Sequence, residues 1–103
     1  MVKKLLSQDF GQVLDSEKLS VVDFSAQWCG PCQMLAPVLE KLSEDISDVD
    51  FFAVDIDEQR ELAIKNGIEV VPTVLFVKNG KIAGKSEGYR DYEQMKALIE
   101  SYI

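Results

Sequence analysis

The order of apolar patterns along the chain constrains its fold more than any other feature of the sequence. Runs of consecutive apolar residues, which are typical of buried strands, alternate with segments whose apolar residues recur at helical spacing. This alternation predicts parallel strands in a sheet that helices cover on both faces, with a final antiparallel hairpin. The predicted order is βαβαβαββα, an α/β fold with a central mixed five-stranded sheet flanked by four helices.

Each element has its own local signal. The predicted strands cover three runs and the two halves of a hairpin: residues 2–5, 19–26, 49–56 and the runs that flank Asn79-Gly80. The predicted helices follow a cap at Ser7, begin near residue 30, cover about 59–65 and follow a cap at Asp91. In the second helix we expect a kink at Pro37 and one apolar stripe, formed by Met34, Leu35, Val38, Leu39, Leu42 and Ile46.

Length and charge narrow the class of protein. With 103 residues, the chain is predicted to form a single domain over 1–103. Its net charge of −7 argues against nucleic acid as a partner, because the phosphates would be repelled. The absence of histidine excludes histidine catalysis and histidine metal ligands.

No apolar run could span a membrane, and MVKKLLSQDF at the start lacks the apolar segment of a signal peptide, so we expect a cytoplasmic protein.

The only two cysteines lie three positions apart, in QWCGPCQ at residues 27–33. Cys29 follows a predicted buried strand, and Cys32 falls in the first turn of the long helix. A helix N-terminus offers free N–H groups and a partial positive charge, which favour the thiolate form of Cys29. Pro31 suits a first helical turn, and Gly30 lets the chain turn between the sulfurs. We therefore expect an exposed, reactive Cys29 and a less exposed Cys32.

Three other interpretations of the pair are weaker. A structural disulfide that closes so short a loop would stabilise the fold little. A zinc site needs about four ligands, and this chain offers two cysteines and no histidine. Two packed core cysteines are the third alternative, but Trp28 and the Gly-Pro insert are poor choices for filling a core. A redox-active dithiol is the favoured interpretation.

The segment VDFSAQWCGPCQMLAPVLEKL closely resembles the active-site segment of the thioredoxin family. The resemblance continues in VDIDE at 54–58, in NGIEVVPTVLFVKNGK at 66–81 and at Gly88, in the same order and spacing. It covers essentially the whole chain. It implies the thioredoxin fold and the activity of a general protein-disulfide reductase, which donates electrons to cytosolic enzymes.

The resemblance implies a role for each cysteine. Cys29 corresponds to the nucleophile that forms a mixed disulfide with a protein substrate, and Cys32 to the cysteine that resolves it. A thioredoxin reductase would recycle the Cys29–Cys32 disulfide, and no bound cofactor or metal is implied. Candidate substrates are ribonucleotide reductase, peroxiredoxin and methionine sulfoxide reductase, and the family implies a monomer.

Asp23 interrupts the apolar run VVDF six residues before Cys29. A carboxylate in a buried strand should have a raised pKa, although a strand-end aspartate could instead reach solvent. The resemblance favours burial and implies that Asp23 takes the proton of Cys32. Two positions depart from many relatives: Ala53 replaces a lysine near this aspartate, and Ser25 replaces an aromatic residue.

The resemblance also implies a docking rim around the dithiol. Pro72 would be a cis-proline packed against the cysteines, although most prolines are trans. The backbone of Val71 would pair with an extended substrate segment. The other predicted rim residues are Trp28 as a half-exposed lid, Gly30, Pro31, Ile56 and Gly88. Glu87 and Tyr89 lie where relatives often have small or apolar residues.

The sequence is also compatible with two other functions. The same rim could serve a redox-silent binding subunit of thioredoxin fold. Two chains could also pool their cysteines in a dimeric zinc protein. Turnover and metal content would separate these alternatives from a reductase.

Overall fold

The computed structural model describes all residues, 1–103. Its strands are β1 Val2–Lys4, β2 Ser20–Ser25, β3 Asp50–Asp55, β4 Thr73–Lys78 and β5 Lys81–Glu87. Its helices are α1 Phe10–Asp15, preceded by a 3₁₀ turn at Ser7–Asp9, then α2 Gly30–Asp45, α3 Arg60–Lys65 and α4 Tyr92–Tyr102. The predicted order of elements is confirmed.

The five strands form one mixed sheet in the order β1-β3-β2-β4-β5. β3 runs parallel to both β1 and β2, whereas β4 runs antiparallel to β2 and to β5. Asn79 and Gly80 both have positive φ, which the turn between β4 and β5 requires. The α/β class and the thioredoxin-type arrangement of a five-stranded sheet with four helices are confirmed.

Helices pack on both faces of the sheet, as predicted. One face carries α2 and α4, whose buried residues contact Val21, Phe51 and Phe76. The other face carries α1 and α3, which contact Val22, Phe24 and other strand residues. Since side chains alternate along a strand, odd-numbered residues of β2 face α2 and even-numbered ones face α1 and α3. Asp23 and Ser25 therefore belong to the face that α2 covers.

Two expectations about the helices were wrong. Ser7 does not cap α1, because its backbone N and its Oγ both donate to Gln59 Oε1, at 3.0 and 2.7 Å. Met34 does not join the buried stripe of α2, since its side chain is 58% exposed. Leu35, Leu39 and Leu42 form the buried part of that stripe. The helix continues through Pro37, at which the predicted kink stays a prediction.

The last helix is fixed at its start by a reciprocal cap. Asp91 Oδ1 accepts a hydrogen bond from Gln94 N at 2.9 Å, and Gln94 Oε1 accepts one from Asp91 N at 3.1 Å. Tyr92 Oη also donates to Asp45 Oδ2 at 2.6 Å, which joins the start of α4 to the end of α2. None of the helices has the length and apolar character needed to cross a membrane.

Candidate active site

The two cysteines lie at the junction of β2 and α2, and they form a disulfide. Cys29 is the N-cap residue of α2, and its Sγ accepts a hydrogen bond from Cys32 N at 3.2 Å. This contact uses one of the N–H groups that a helix start leaves without a backbone partner. Pro31 occupies the first turn, where no N–H is required. The local sequence therefore places the dithiol at the positive end of α2.

The difference in exposure between the cysteines is smaller than expected. Cys29 is 6% exposed and Cys32 is 3% exposed, so both are buried in the disulfide form. The order is as predicted, but the expectation of an openly exposed Cys29 was wrong. The reason is long-range packing, since Ile56 and Val71 come from distant segments to contact the pair. Cys29 Sγ lies 3.6 Å from the carbonyl oxygen of Val71.

The loop before β4 forms one side of the site. The Val71–Pro72 peptide bond is cis, as the resemblance implies, and Pro72 is buried. Gly88 N donates to the carbonyl oxygen of Pro72 at 2.8 Å, which brings the end of β5 to the same loop. Gly88 has a φ of 89°, which a residue with a side chain rarely adopts. The structure thus brings Val71, Pro72 and Gly88 together next to Cys29.

Trp28 is more exposed than the expected half-exposed lid, at 70%. Its Nε1 donates to Asp57 Oδ2 at 2.9 Å, so the ring is anchored although it faces solvent. Asp57 was not identified from the sequence. Its signal was the acidic end of VDIDE, just beyond a strand whose carboxyl end adjoins the dithiol.

The remaining predicted rim residues come from several different segments of the chain. Gly30 and Pro31 are exposed in the first turn of α2, between the cysteines. Ile56 is half-buried and packs against the cysteine cluster. Glu87 and Tyr89 are exposed on either side of Gly88. Contact of these residues with a substrate stays a prediction.

Asp23 is buried, and burial changes its ionisation. It is 3% exposed in the middle of the sheet, between Ala53 of β3 and Val74 of β4. Its Oδ1 has no hydrogen-bond partner. Desolvation therefore raises the pKa of Asp23 from 3.8 to about 7. The predicted burial and the predicted direction of the pKa change are confirmed, and a carboxyl group with this pKa can accept and release a proton near neutral pH.

A pocket of about 180 Å³ opens beside Cys32. Its seven lining residues come from the ends of β2 and β3, the segment after β2 and the first turns of α2: Ser25, Ala26, Gln27, Cys32, Gln33, Ala36 and Asp55. We call this the Cys32 pocket. Ser25 and Asp55 are register partners at the carboxyl ends of their strands, which explains why they meet there. Sequence reasoning missed Asp55, because its proximity to Cys32 depends on strand register.

The redox group of the site is formed by the chain's own side chains. The Cys29–Cys32 disulfide supplies it. No cluster of three or more His, Cys, Asp or Glu side chains is arranged to hold a metal ion. The arrangement can therefore exchange a disulfide for a dithiol without an added group.

Comparison with known proteins supports this chemistry. The family model described as Thioredoxin matches residues 1–101. Thioredoxin-1 of Saccharomyces cerevisiae is 45% identical over 82 residues, which are 80% of this chain and 80% of the yeast protein. The mitochondrial thioredoxin of Mus musculus is 44% identical over 93 residues, which are 89% of this chain and 56% of the mouse protein. The solved structure of a Malassezia sympodialis thioredoxin has a TM-score of 0.90 at 39% identity, covering 99% of this chain and 90% of that one.

Proposed function

Because this chain belongs to the thioredoxin family, we propose that it is a general protein-disulfide reductase that acts through Cys29 and Cys32. Dithiol–disulfide exchange is the chemistry of the family and of the site. The observation that carries this proposal is the Cys29–Cys32 disulfide at the start of α2, with the buried carboxyl group of Asp23, whose Oδ1 has no partner, on the sheet face that α2 covers. We assign residues 1–103 to one functional domain.

In the first step, the Cys29 thiolate attacks one sulfur of a substrate disulfide. A bond forms between Cys29 and the substrate, and the second substrate sulfur leaves as a thiolate. The backbone N–H of Cys32, which points at Cys29 Sγ, stabilises the negative charge on Cys29 before the attack. The result is a mixed disulfide.

In the second step, Cys32 loses its proton to Asp23 and attacks Cys29. The mixed disulfide breaks, the substrate sulfur that was bonded to Cys29 leaves as a thiolate and the Cys29–Cys32 disulfide forms. The two substrate thiolates take protons from water. Two electrons pass from the protein to the substrate. Asp23 suits this role because desolvation raises its pKa to about 7, so it binds a proton more strongly than an exposed aspartate.

Substrate recognition is assigned to the rim around Cys29. Val71 is half-buried and its carbonyl oxygen lies close to Cys29 Sγ, which supports pairing of its backbone with an extended substrate segment. The proposed apolar contacts come from the exposed ring of Trp28 and from Ile56. Gly30, Pro31, Pro72 and Gly88 complete the rim.

A thioredoxin reductase would return the disulfide to the dithiol. Ribonucleotide reductase, peroxiredoxin and methionine sulfoxide reductase remain candidate substrates on the basis of family membership alone. The monomeric state and the cytoplasmic location stay predictions, and several relatives carry the name of a mitochondrial protein.

Insulin reduction by dithiothreitol, followed by turbidity, tests this proposal. We expect the wild-type protein to accelerate precipitation of the insulin B chain, and Cys29→Ser to abolish the acceleration. A folded wild-type protein without activity would instead support a redox-silent binding subunit. Metal analysis of the same sample tests the alternative of a dimeric zinc protein, because that alternative requires stoichiometric zinc.

A further inference from the structure

The proton that Asp23 takes from Cys32 must reach solvent before the next cycle. Asp23 is buried, and its Oδ1 has no hydrogen-bond partner. The position beside it on β3 is Ala53, which supplies no cation and no donor. Ala53 itself is half-buried.

The Cys32 pocket lies next along the same sheet face. Asp23 and Ser25 are two residues apart in β2, so their side chains point the same way at a separation of about 7 Å. Ser25 and Asp55 are direct register partners, and their Cβ atoms are about 5 Å apart. One or two water molecules would span each gap, and the pocket of about 180 Å³ has room for them, with Ser25, Gln27, Gln33 and Asp55 as its polar lining residues.

Asp55 is the only carboxylate that lines this pocket, and no lysine or arginine lines it. Its Oδ1 accepts hydrogen bonds from Asp57 N at 2.8 Å and Glu58 N at 3.3 Å, whereas its Oδ2 accepts none from the protein. The neighbouring acidic side chains have partners outside the pocket, since Asp57 binds Trp28 and Glu58 binds Lys4. The side-chain Nε2 of Gln33 donates a hydrogen bond to the carbonyl oxygen of Gln27.

We propose that the Cys32 pocket is the proton exit of the site, with water and the Ser25 hydroxyl as the relay and Asp55 as the receiving carboxylate at the solvent boundary. This inference rests on the proposed function. Cys32 S–H gives its proton to Asp23, the Cys32 thiolate attacks Cys29, and the substrate thiolate leaves. Asp23 then releases the proton through pocket water to Asp55 Oδ2, and Asp55 releases it to bulk water.

Transient kinetics can test the exit. Trp28 is the only tryptophan and adjoins Cys29, so its fluorescence reports formation of the Cys29–Cys32 disulfide. Reduced protein is mixed with increasing concentrations of a disulfide-bonded peptide in a stopped-flow instrument. The slope at low concentration measures attack by Cys29. With a pKa of about 7, Asp23 is protonated in about half of the reduced molecules at pH 7, and these must lose that proton through the exit before Asp23 can accept the proton of Cys32. The rate at saturation therefore measures resolution by Cys32 together with loss of the Asp23 proton.

We expect Asp55→Asn to leave the slope within twofold of wild type and to lower the saturating rate roughly tenfold at pH 7, less than the 10²–10⁴-fold typical of a direct acid or base. Asparagine keeps the oxygen that accepts from Asp57 N and Glu58 N, so the turn is retained. Added imidazole, a small base that fits the pocket, should restore the saturating rate. A merely structural defect would not be rescued in this way.

Two further variants keep the test decisive. Asp50→Asn removes the same charge from the opposite end of β3 and should behave as wild type. Ala36→Leu fills the pocket while Asp55 stays in place, and it should lower the saturating rate without rescue by imidazole.

The inference is overturned if Asp55→Asn keeps the wild-type saturating rate, or if it lowers slope and saturating rate equally without rescue. These outcomes leave the proposed function intact, because wild type still turns over. If wild-type protein itself shows no reaction with the peptide, the proposed function fails instead.

Discussion

Asp23 is the residue at which chemistry and stability conflict most directly. Its position between Ala53 and Val74 removes it from water without giving Oδ1 a partner. A leucine or valine here would suit the surrounding core better. The residue makes sense as a proton acceptor for Cys32, because desolvation raises its pKa to about 7.

Replacement of this carboxyl group should affect one chemical step. We expect Asp23→Asn to slow breakdown of the mixed disulfide about 10²-fold at pH 7, the lower range for loss of a general base. Attack by Cys29 should change less than threefold. Single-turnover kinetics with a disulfide peptide will show this, and equal resolution rates in variant and wild type would remove Asp23 from the mechanism.

The same residue should make stability depend on pH. Between about pH 4 and pH 7, folded Asp23 holds a proton that the unfolded chain has lost, so stability falls as the pH rises through this window. The rise in pKa from 3.8 to about 7 corresponds to a destabilisation of the folded protein by roughly 4 kcal/mol. This destabilisation reaches its full size above pH 7. Asp23→Ala should therefore stabilise the oxidised protein by about 3 kcal/mol at pH 8, after a small cavity cost, and should give no gain at pH 4.

Urea unfolding at both pH values measures this effect. Asp48→Ala, at an exposed turn, is the matched control and should leave the pH dependence unchanged. A gain for Asp23→Ala that is the same at pH 4 and pH 8 would mean that ionisation of Asp23 is not its cause.

At the scale of the elements, two helices have their first turn capped by a side chain. Cys29 caps α2 with its sulfur, and Asp91 caps α4 with a carboxylate. The first cap places a sulfur atom at the positive end of a helix, whereas the second only stabilises the start of its helix. The difference follows from the residue type and from what packs around it.

The α4 cap should be measurable on its own. We expect Asp91→Ala to destabilise the protein by about 1 kcal/mol, because two reciprocal hydrogen bonds are lost. Asp91→Ser retains an acceptor at the cap and should recover most of this loss. Urea midpoints report both values, and disulfide exchange should be unaffected. An alanine variant as stable as wild type would show that packing of Met95 and Ile99 alone fixes α4.

Local patterns predicted the elements well and their contacts less well. The strands were correct to within about one residue, because apolar runs and the Asn79-Gly80 turn are local signals. Ser7 was misassigned because its partner, Gln59, lies 52 residues away. Met34 was misassigned because helical spacing alone does not show how wide the buried stripe is.

For the candidate site, the sequence indicated the cysteine pair and Asp23 but not their surroundings. The dithiol and Asp23 were identifiable from residue type and position, and the cis bond at Pro72 from family resemblance. The burial of Cys29 depends on Val71, and the anchoring of Trp28 depends on Asp57. Asp55 meets Cys32 only because β2 and β3 pair in one register. Such contacts are set by tertiary packing, which no local pattern contains.

At the scale of the whole molecule, the sheet order gathers distant segments at one end. The carboxyl ends of β2 and β3, the start of β4 and the end of β5 all meet the start of α2 there. This end carries the disulfide, its apolar rim and its pocket. A cysteine pair placed beside this rim suits exchange with an extended protein segment.

The proposed mechanism requires that Cys29 attacks the substrate and that Cys32 resolves the mixed disulfide. Intact-mass analysis of Cys32→Ser after reaction with a disulfide peptide tests it most directly, with Cys29→Ser as the matched variant. We predict a stable adduct of one peptide per chain at Cys29 in the first variant, and a much slower reaction at the buried Cys32 in the second. An adduct that forms equally fast on Cys32 in Cys29→Ser, or no adduct on Cys29 in Cys32→Ser, would contradict the account.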